Sequence, residues 1–130
     1  MIVVDSSFTM AMVMPDERRP RCLPLAEESR LVAPPIWVFE VANALQMAVR
    51  RGRLAAGDAT TLARRLDEYG VGVEGADSNV HQRYLAARSH DTTAYDAAYL
   101  DLALHRRFGL ATLDTRMADT ARRLGLVVHD

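Results

Sequence analysis

Four acidic side chains carry the chemistry that this sequence offers. Asp5 follows the apolar run Ile2-Val3-Val4. Glu40 lies inside an apolar stretch, with Asn43 one helical turn on. Asp96 opens a stripe that continues through Tyr99, Leu100, Ala103 and Leu104 at the helical period. Asp114 follows Leu110-Ala111-Thr112-Leu113. Each place is awkward for a lone charge, because burying a carboxylate is costly unless something pairs with it. Taken singly, each has a plain explanation as a cap, an edge, or an acid at the positive end of a helix, worth ~0.3–1 kcal/mol. Four such placements in one short chain point to convergence. Two carboxylates ~4 Å apart at an effective dielectric of ~20 repel by ~4 kcal/mol, so a cluster needs a counter-charge. Oxygen donors without a His/Cys cluster suit Mg²⁺, with Mn²⁺ as a substitute, and count against zinc. A divalent ion held by carboxylates, with waters left over, suits phosphate-ester hydrolysis.

The elements that must position these acids alternate along the chain. Ile2–Val4 reads as a buried strand, and Ser6 or Ser7 can cap a helix from Phe8 to about Met14, stopped by Pro15. Asp16 to Arg21 reads as a loop, and Leu25 to Ser29 as a turn or two. Leu31–Ala33 is a second strand. Pro34-Pro35 opens a helix over Ile36–Arg51 that is apolar nearly all round and needs cover on most sides. Ala55–Tyr69 is a more polar outer helix, Val71–Glu74 a third strand, and Asp77–Arg88 a helix capped by Asp77 or Ser78. Thr92 or Thr93 caps the Asp96 helix. On that helix Asp101 lies roughly 140° round from Asp96 and faces elsewhere. Leu110–Leu113 is a strand, Thr115–Leu124 a helix closed by Gly125, and Val127-Val128 a last strand. Strands separated by helices imply a single α/β domain over residues 1–130. Its central sheet would be mostly parallel, with helices on both faces. In such sheets sites form beyond the carboxyl ends of the strands. Thr112, two residues before Asp114, would then point the same way from its strand.

Composition sets the outer bounds. A chain of 130 residues, 49% hydrophobic, can bury a sizeable core. No run approaches the ~20 apolar residues of a membrane span. The start has neither the basic region nor the cleavage pattern of a signal peptide. The lone Cys22 has no disulfide partner and is expected to pack rather than react, so a cytoplasmic setting fits. Net charge is −1, with 16 basic residues against 17 acidic ones. That balance argues neither for nor against nucleic acid. Every basic residue is arginine, many in doublets that suit helix ends, and guanidinium forks also match phosphate oxygens. His81 and His90 are isolated and read as surface or cap residues. Tyr95 and Tyr99 are candidates for base stacking, with Tyr99 expected in the core. Asp119, one turn beyond Asp114, is a candidate fifth acid.

Four segments together carry a resemblance. They are Val3-Val4-Asp5-Ser6-Ser7, Pro35 through Glu40-Val41-Ala42-Asn43-Ala44-Leu45, Tyr95-Asp96-Ala97-Ala98-Tyr99 and Ala111-Thr112-Leu113-Asp114. In order and spacing they resemble the four acidic motifs of PIN-domain nucleases, and of the bacterial VapC-type toxins in particular. The stretch from Pro15 to Ser29, with two internal prolines, departs from the continuous helical hairpin of that family. The resemblance implies a Mg²⁺-dependent endoribonuclease that leaves a 5′-phosphate and a 3′-hydroxyl. Asp5, Asp96 and Asp114 would hold metal, and Glu40 would act through water. Ser6, Asn43 and Thr112 would support the acids, and Arg116 would reach the scissile phosphate. It also implies a homodimer silenced by a cognate antitoxin. Two other classes compete. A phosphoryl-transfer domain of receiver or phosphatase type also gathers acids at strand ends, but it would want a lysine near the phosphate, and this chain has none. A non-catalytic PIN-like module would bind RNA or protein without cutting, and four intact acids weigh against it.

Overall fold

The computed structural model describes residues 1–75 and 79–130. Among them, five strands are separated by seven helices: β1 (Ile2–Val4), α1 (Ser6–Val13), α2 (Leu23–Glu28), β2 (Leu31–Ala33), α3 (Ile36–Arg50), α4 (Ala56–Tyr69), β3 (Gly72–Val73), α5 (Val80–His90), α6 (Ala94–Arg106), β4 (Gly109–Ala111), α7 (Thr115–Arg123) and β5 (Val128–His129). The strands form one parallel sheet in the order β3-β2-β1-β4-β5. Val3 and Val4 are wholly buried at its centre, as are Val32 on β2 and Leu110 on β4. Such strands are apolar on both faces because helices cover both. The expected α/β architecture is therefore present.

The strand order decides where a site can form. From β1 the chain builds outward through β2 and β3, then returns to the other side of β1 for β4 and β5. The switch lies between β1 and β4, whose carboxyl ends are Val4 and Ala111. Crevices open at such switch points. Past the strands the ladder gains one more bond, from Asp5 N–H to the Ala111 carbonyl at 3.2 Å. Asp5 is thereby fixed at the mouth of that crevice.

Several local expectations need correction. Ser6 and Ser7 do not cap α1. Asp5 does so itself, in extended backbone, with its carboxylate accepting from Phe8 N–H, and the helix starts at once after it. β4 ends at Ala111, short of Leu113, because its partner β5 has only two residues. Asp114 therefore lies off the strand as the cap of α7, and it shares no strand face with Thr112. Asp77 and Ser78 lie outside the described residues; Asn79 caps α5 at Gln82 N–H. On α3, Trp37, Val41, Leu45 and Ala48 face inward, while Val38 and Phe39 are 47% and 71% exposed in the single chain, which leaves the expected cover on that side to a partner.

The contact between α5 and α6 corrects one more reading. His90 is not a surface residue. Its side chain is 10% exposed, and its Nε2 lies 2.8 Å from Asp101 Oδ1. Asp101 Oδ2 is 3.4 Å from Arg83 on the same neighbouring helix. Asp101 points away from the Asp96 stripe, as its position on the helix predicts, and packs toward α5.

A buried relay ties α3 to the start of α1. Trp37 Nε1–H donates to Thr9 Oγ1 at 2.9 Å, and the Thr9 hydroxyl donates to the Asp5 carbonyl at 2.7 Å. Trp37→Phe keeps most of the ring and removes the donor. Leaving a buried polar group short of a partner costs about 1–3 kcal/mol. Urea unfolding should show the midpoint falling with the slope unchanged; an unshifted midpoint would dismiss the relay as a stabilising element.

Candidate active site

Asp5 is 4% exposed, so its charge depends on what surrounds it. Its Oδ1 accepts from Phe8 N–H and from Ser7 Oγ–H, both at 2.8 Å, and its Oδ2 accepts from Thr112 Oγ1–H at 2.5 Å. Both hydroxyls are used twice. Ser7 Oγ also accepts from Leu113 N–H at 3.0 Å, and Thr112 Oγ1 from Asp114 N–H at 3.0 Å. Hydroxyls from the β1 and β4 ends thus lace the two strand ends together around one carboxylate. Ser7 is the residue that sequence reasoning missed as a support, having weighed it only as a cap. The signal was its place two residues after Asp5, on the first turn of the helix that Asp5 caps. Burial pushes the Asp5 carboxyl above its ordinary range. The Phe8, Thr112 and Ser7 bonds oppose that shift, and the Asp114 charge adds to it.

Asp114 is exposed and caps α7, its Oδ1 accepting from Arg116 N–H at 2.9 Å and Met117 N–H at 3.1 Å. Asp96 sits in the first turn of α6, where Thr93 Oγ1 accepts from its N–H as the cap. Its Oδ2 has only a long 3.4 Å contact from the Thr92 hydroxyl. Burial raises the Asp96 carboxyl first and the Asp114 charge second. The Thr92 and Thr93 bonds and the Arg116 charge pull it back. Asp114 therefore bears on both Asp5 and Asp96. Glu40 joins from α3, with Tyr99 Oη–H donating to its Oε1 at 2.5 Å. The Tyr99 hydroxyl in turn feels the charges of Glu40, Asp5 and Asp96, and Asp114 bears on Asp5 and Asp96.

The supporting residues divide. Thr112 is bonded to Asp5, and the Arg116 charge bears on Asp96. Ser6 and Asn43 make no side-chain hydrogen bond to an acid among the described residues, and Asn43 is exposed. Asp119 is 78% exposed and turns to Arg122 at 3.5 Å. Tyr95 is exposed, 61%, beside Asp96 in sequence.

The donor set can be tested against a metal by its chemistry. It is all oxygen, and Asp114 Oδ2, Asp96 Oδ1 and Glu40 Oε2 have no protein donor among the described residues. Also among the described residues, no three His, Cys, Asp or Glu side chains close into a ready-made metal cage. An all-oxygen donor set suits a hard cation that keeps several waters, as Mg²⁺ does, rather than zinc.

The raised carboxyls make stability depend on pH. Between the ordinary aspartate value and the raised one, the folded state keeps a proton that the unfolded state has lost. Stability therefore falls as pH rises through that window and stays lower above it. Asp96→Asn removes one such group and keeps its shape. In chelator at neutral pH the variant should melt a few degrees higher than the wild type, with a shallower fall in stability as pH rises above the ordinary aspartate range. An equal or lower melting temperature would contradict the electrostatic strain.

The family model for the PIN domain matches residues 2–123. Over 121 residues the chain is 31% identical to Ribonuclease VapC3 of Pyrobaculum aerophilum, spanning 91% of this chain and 92% of that protein. Over 125 residues it is 35% identical to Ribonuclease VapC9 of Mycobacterium tuberculosis, spanning 94% of this chain and 92% of the relative. In three dimensions it resembles the crystal structure of PAE2754 from Pyrobaculum aerophilum, with a TM-score of 0.74 over 98% of this chain and 82% of that one. At 21% identity, that likeness speaks for the fold alone. Fold, family match over residues 2–123 and relatives agree: the chain belongs to the PIN domain family, alongside the VapC ribonucleases.

Proposed function

We propose that residues 1–130 form one metal-dependent endoribonuclease domain, the toxin of a VapC-type toxin–antitoxin pair. The observation that carries this reading is the set of acids at the β1/β4 switch point, where Asp5 is buried and the Asp114 charge adds to burial in raising the carboxyls of Asp5 and Asp96. Structure alone gains nothing from such an arrangement. Relatives named ribonucleases, aligned over nine-tenths of the chain, support a catalytic purpose for it.

Asp5, Asp96 and Asp114 would hold Mg²⁺ or Mn²⁺, with Glu40 acting through water. Such an ion, when bound, supplies Lewis acidity toward a phosphate and makes water acidic enough to attack near neutral pH. The chain's own part is orientation. Ser7, Thr112 and Phe8 N–H fix both oxygens of Asp5, which leaves it little rotational freedom. The cap bonds of Asp114 commit Oδ1 to the backbone and leave Oδ2 free. Arg116 is exposed beside Asp96 and can offer its fork to the scissile phosphate, which carries negative charge that the acids alone would repel. Hydrolysis would leave a 5′-phosphate and a 3′-hydroxyl.

Exposed Val38 and Phe39 on α3 mark an apolar surface in need of a partner. A homodimer, and a cognate antitoxin segment laid over the site, are the proposed occupants. Among the described residues no helix is long and apolar enough to cross a membrane. A cytoplasmic toxin acting on cellular RNA is the proposed setting.

Two experiments test these readings. With Mg²⁺ or Mn²⁺ the wild type should cut a structured RNA and Asp96→Asn should lose at least ~100-fold, equivalent to ~2.7 kcal/mol of barrier. Asp101→Asn should stay within a few-fold while melting lower, since it loosens the pairs to His90 and Arg83. Equal cutting by wild type and Asp96→Asn would remove the nuclease reading. Light scattering at micromolar concentration should give twice the chain mass, and Phe39→Asp should shift it toward the monomer. A wild-type monomer would rule out the α3 interface.

A further inference from the structure

Tyr99 is among the largest wholly buried side chains, 1% exposed. Phenylalanine would fill the same space, so packing does not account for the hydroxyl. A buried hydroxyl is costly without a partner. This one reaches from α6 to α3 and donates to Glu40 Oε1 at 2.5 Å, the length of a charge-assisted bond. Among the described residues no other protein donor reaches Glu40. A long side chain on a half-buried helix position is therefore held at its tip by one contact. The donor lies near two of the other acids, since Asp5 and Asp96 as well as Glu40 act on the phenol. Asp96 and Tyr99, three residues apart, share one helix face. One face of α6 thus presents an acid directly and holds a second acid from another helix.

We propose that Tyr99 is a positioning residue of the acid cluster: its hydroxyl holds Glu40 by Oε1 beside Asp5 and Asp96 and leaves Oε2 free for the ion or its waters. This rests on the nuclease reading for its purpose, but the positioning itself has a signature that needs no metal. Partners that orient metal-site ligands are worth about 10–100-fold in metal affinity or activity.

The test compares the full-length wild type with Tyr99→Phe, Glu40→Gln and the double variant. In metal-free protein, the Glu40 side-chain carboxyl carbon should give one sharp, displaced NMR line in the wild type. In Tyr99→Phe that line should move to the position of a freely rotating glutamate. With Mn²⁺ alone as the probe, calorimetry should show Tyr99→Phe binding about 10–100-fold more weakly than wild type. Its kcat on RNA should fall by a similar factor with KM unchanged and the metal-free melting temperature nearly so. In the Glu40→Gln background, Tyr99→Phe should cost less than about twofold more, because two residues acting through one contact are not additive. An unmoved Glu40 line, Mn²⁺ affinity equal to wild type, or a full additional loss in the double variant would each overturn the proposal. A wild type that shows the displaced line yet cuts no RNA would strike the nuclease reading and leave Glu40's positioning supported.

Discussion

The molecule is organised around a carboxylate that has almost no water. Asp5 is 4% exposed, and an ionised acid so placed carries a penalty of several kcal/mol unless donors replace its hydration. Three do so: the Phe8 amide and the Ser7 and Thr112 hydroxyls. A charged acceptor bond contributes about 1.5–3 kcal/mol each, enough to offset most of that penalty. Thr112 comes from 107 positions away in sequence, so the contact exists only if β4 lies beside β1. The strand order, the shortness of β4 and the immediate start of α1 after Asp5 all serve that geometry.

The same network explains why strain is tolerated where it is. Burial first, and the Asp114 charge behind it, raise the carboxyls of Asp5 and Asp96, which sets the site's acids against the fold once they ionise. The wholly buried strands around it, the Arg83–Asp101 pair and the His90–Asp101 hydrogen bond supply stability at a distance from the acids. Two acids of the same helix thus have different surroundings: Asp101 is paired across to α5, and Asp96 feels the charges of Asp114 and Arg116.

The acids and the alternating architecture were legible in the sequence because both follow from simple patterns. Short apolar runs ending on Asp5 and shortly before Asp114 read as buried parallel strands, and the helical period placed Asp96 at the head of a core stripe. What was not legible depends on contacts between segments distant in sequence. Nothing local shows that Asp5, rather than Ser6 or Ser7, caps α1, because all three are good capping types. Nothing local pairs His90 with Asp101, or Tyr99 with Glu40 across 59 positions. Thr112 was identified as a support on the premise of a shared strand face. The structure keeps it beside Asp5 for a different reason, a hydroxyl that donates to one acid while accepting from the backbone of another.

The central claim is that Asp5, Asp96 and Asp114 gather around a divalent cation that keeps much of its water. Anomalous diffraction from crystals soaked in Mn²⁺ tests it without reference to any substrate. The account predicts a single strong peak at the β1/β4 switch point, about 2.0–2.3 Å from oxygens of at least one of these aspartates, with waters completing an octahedron. A peak only at surface acids such as Asp16 and Glu17, or no peak at millimolar Mn²⁺, would contradict it.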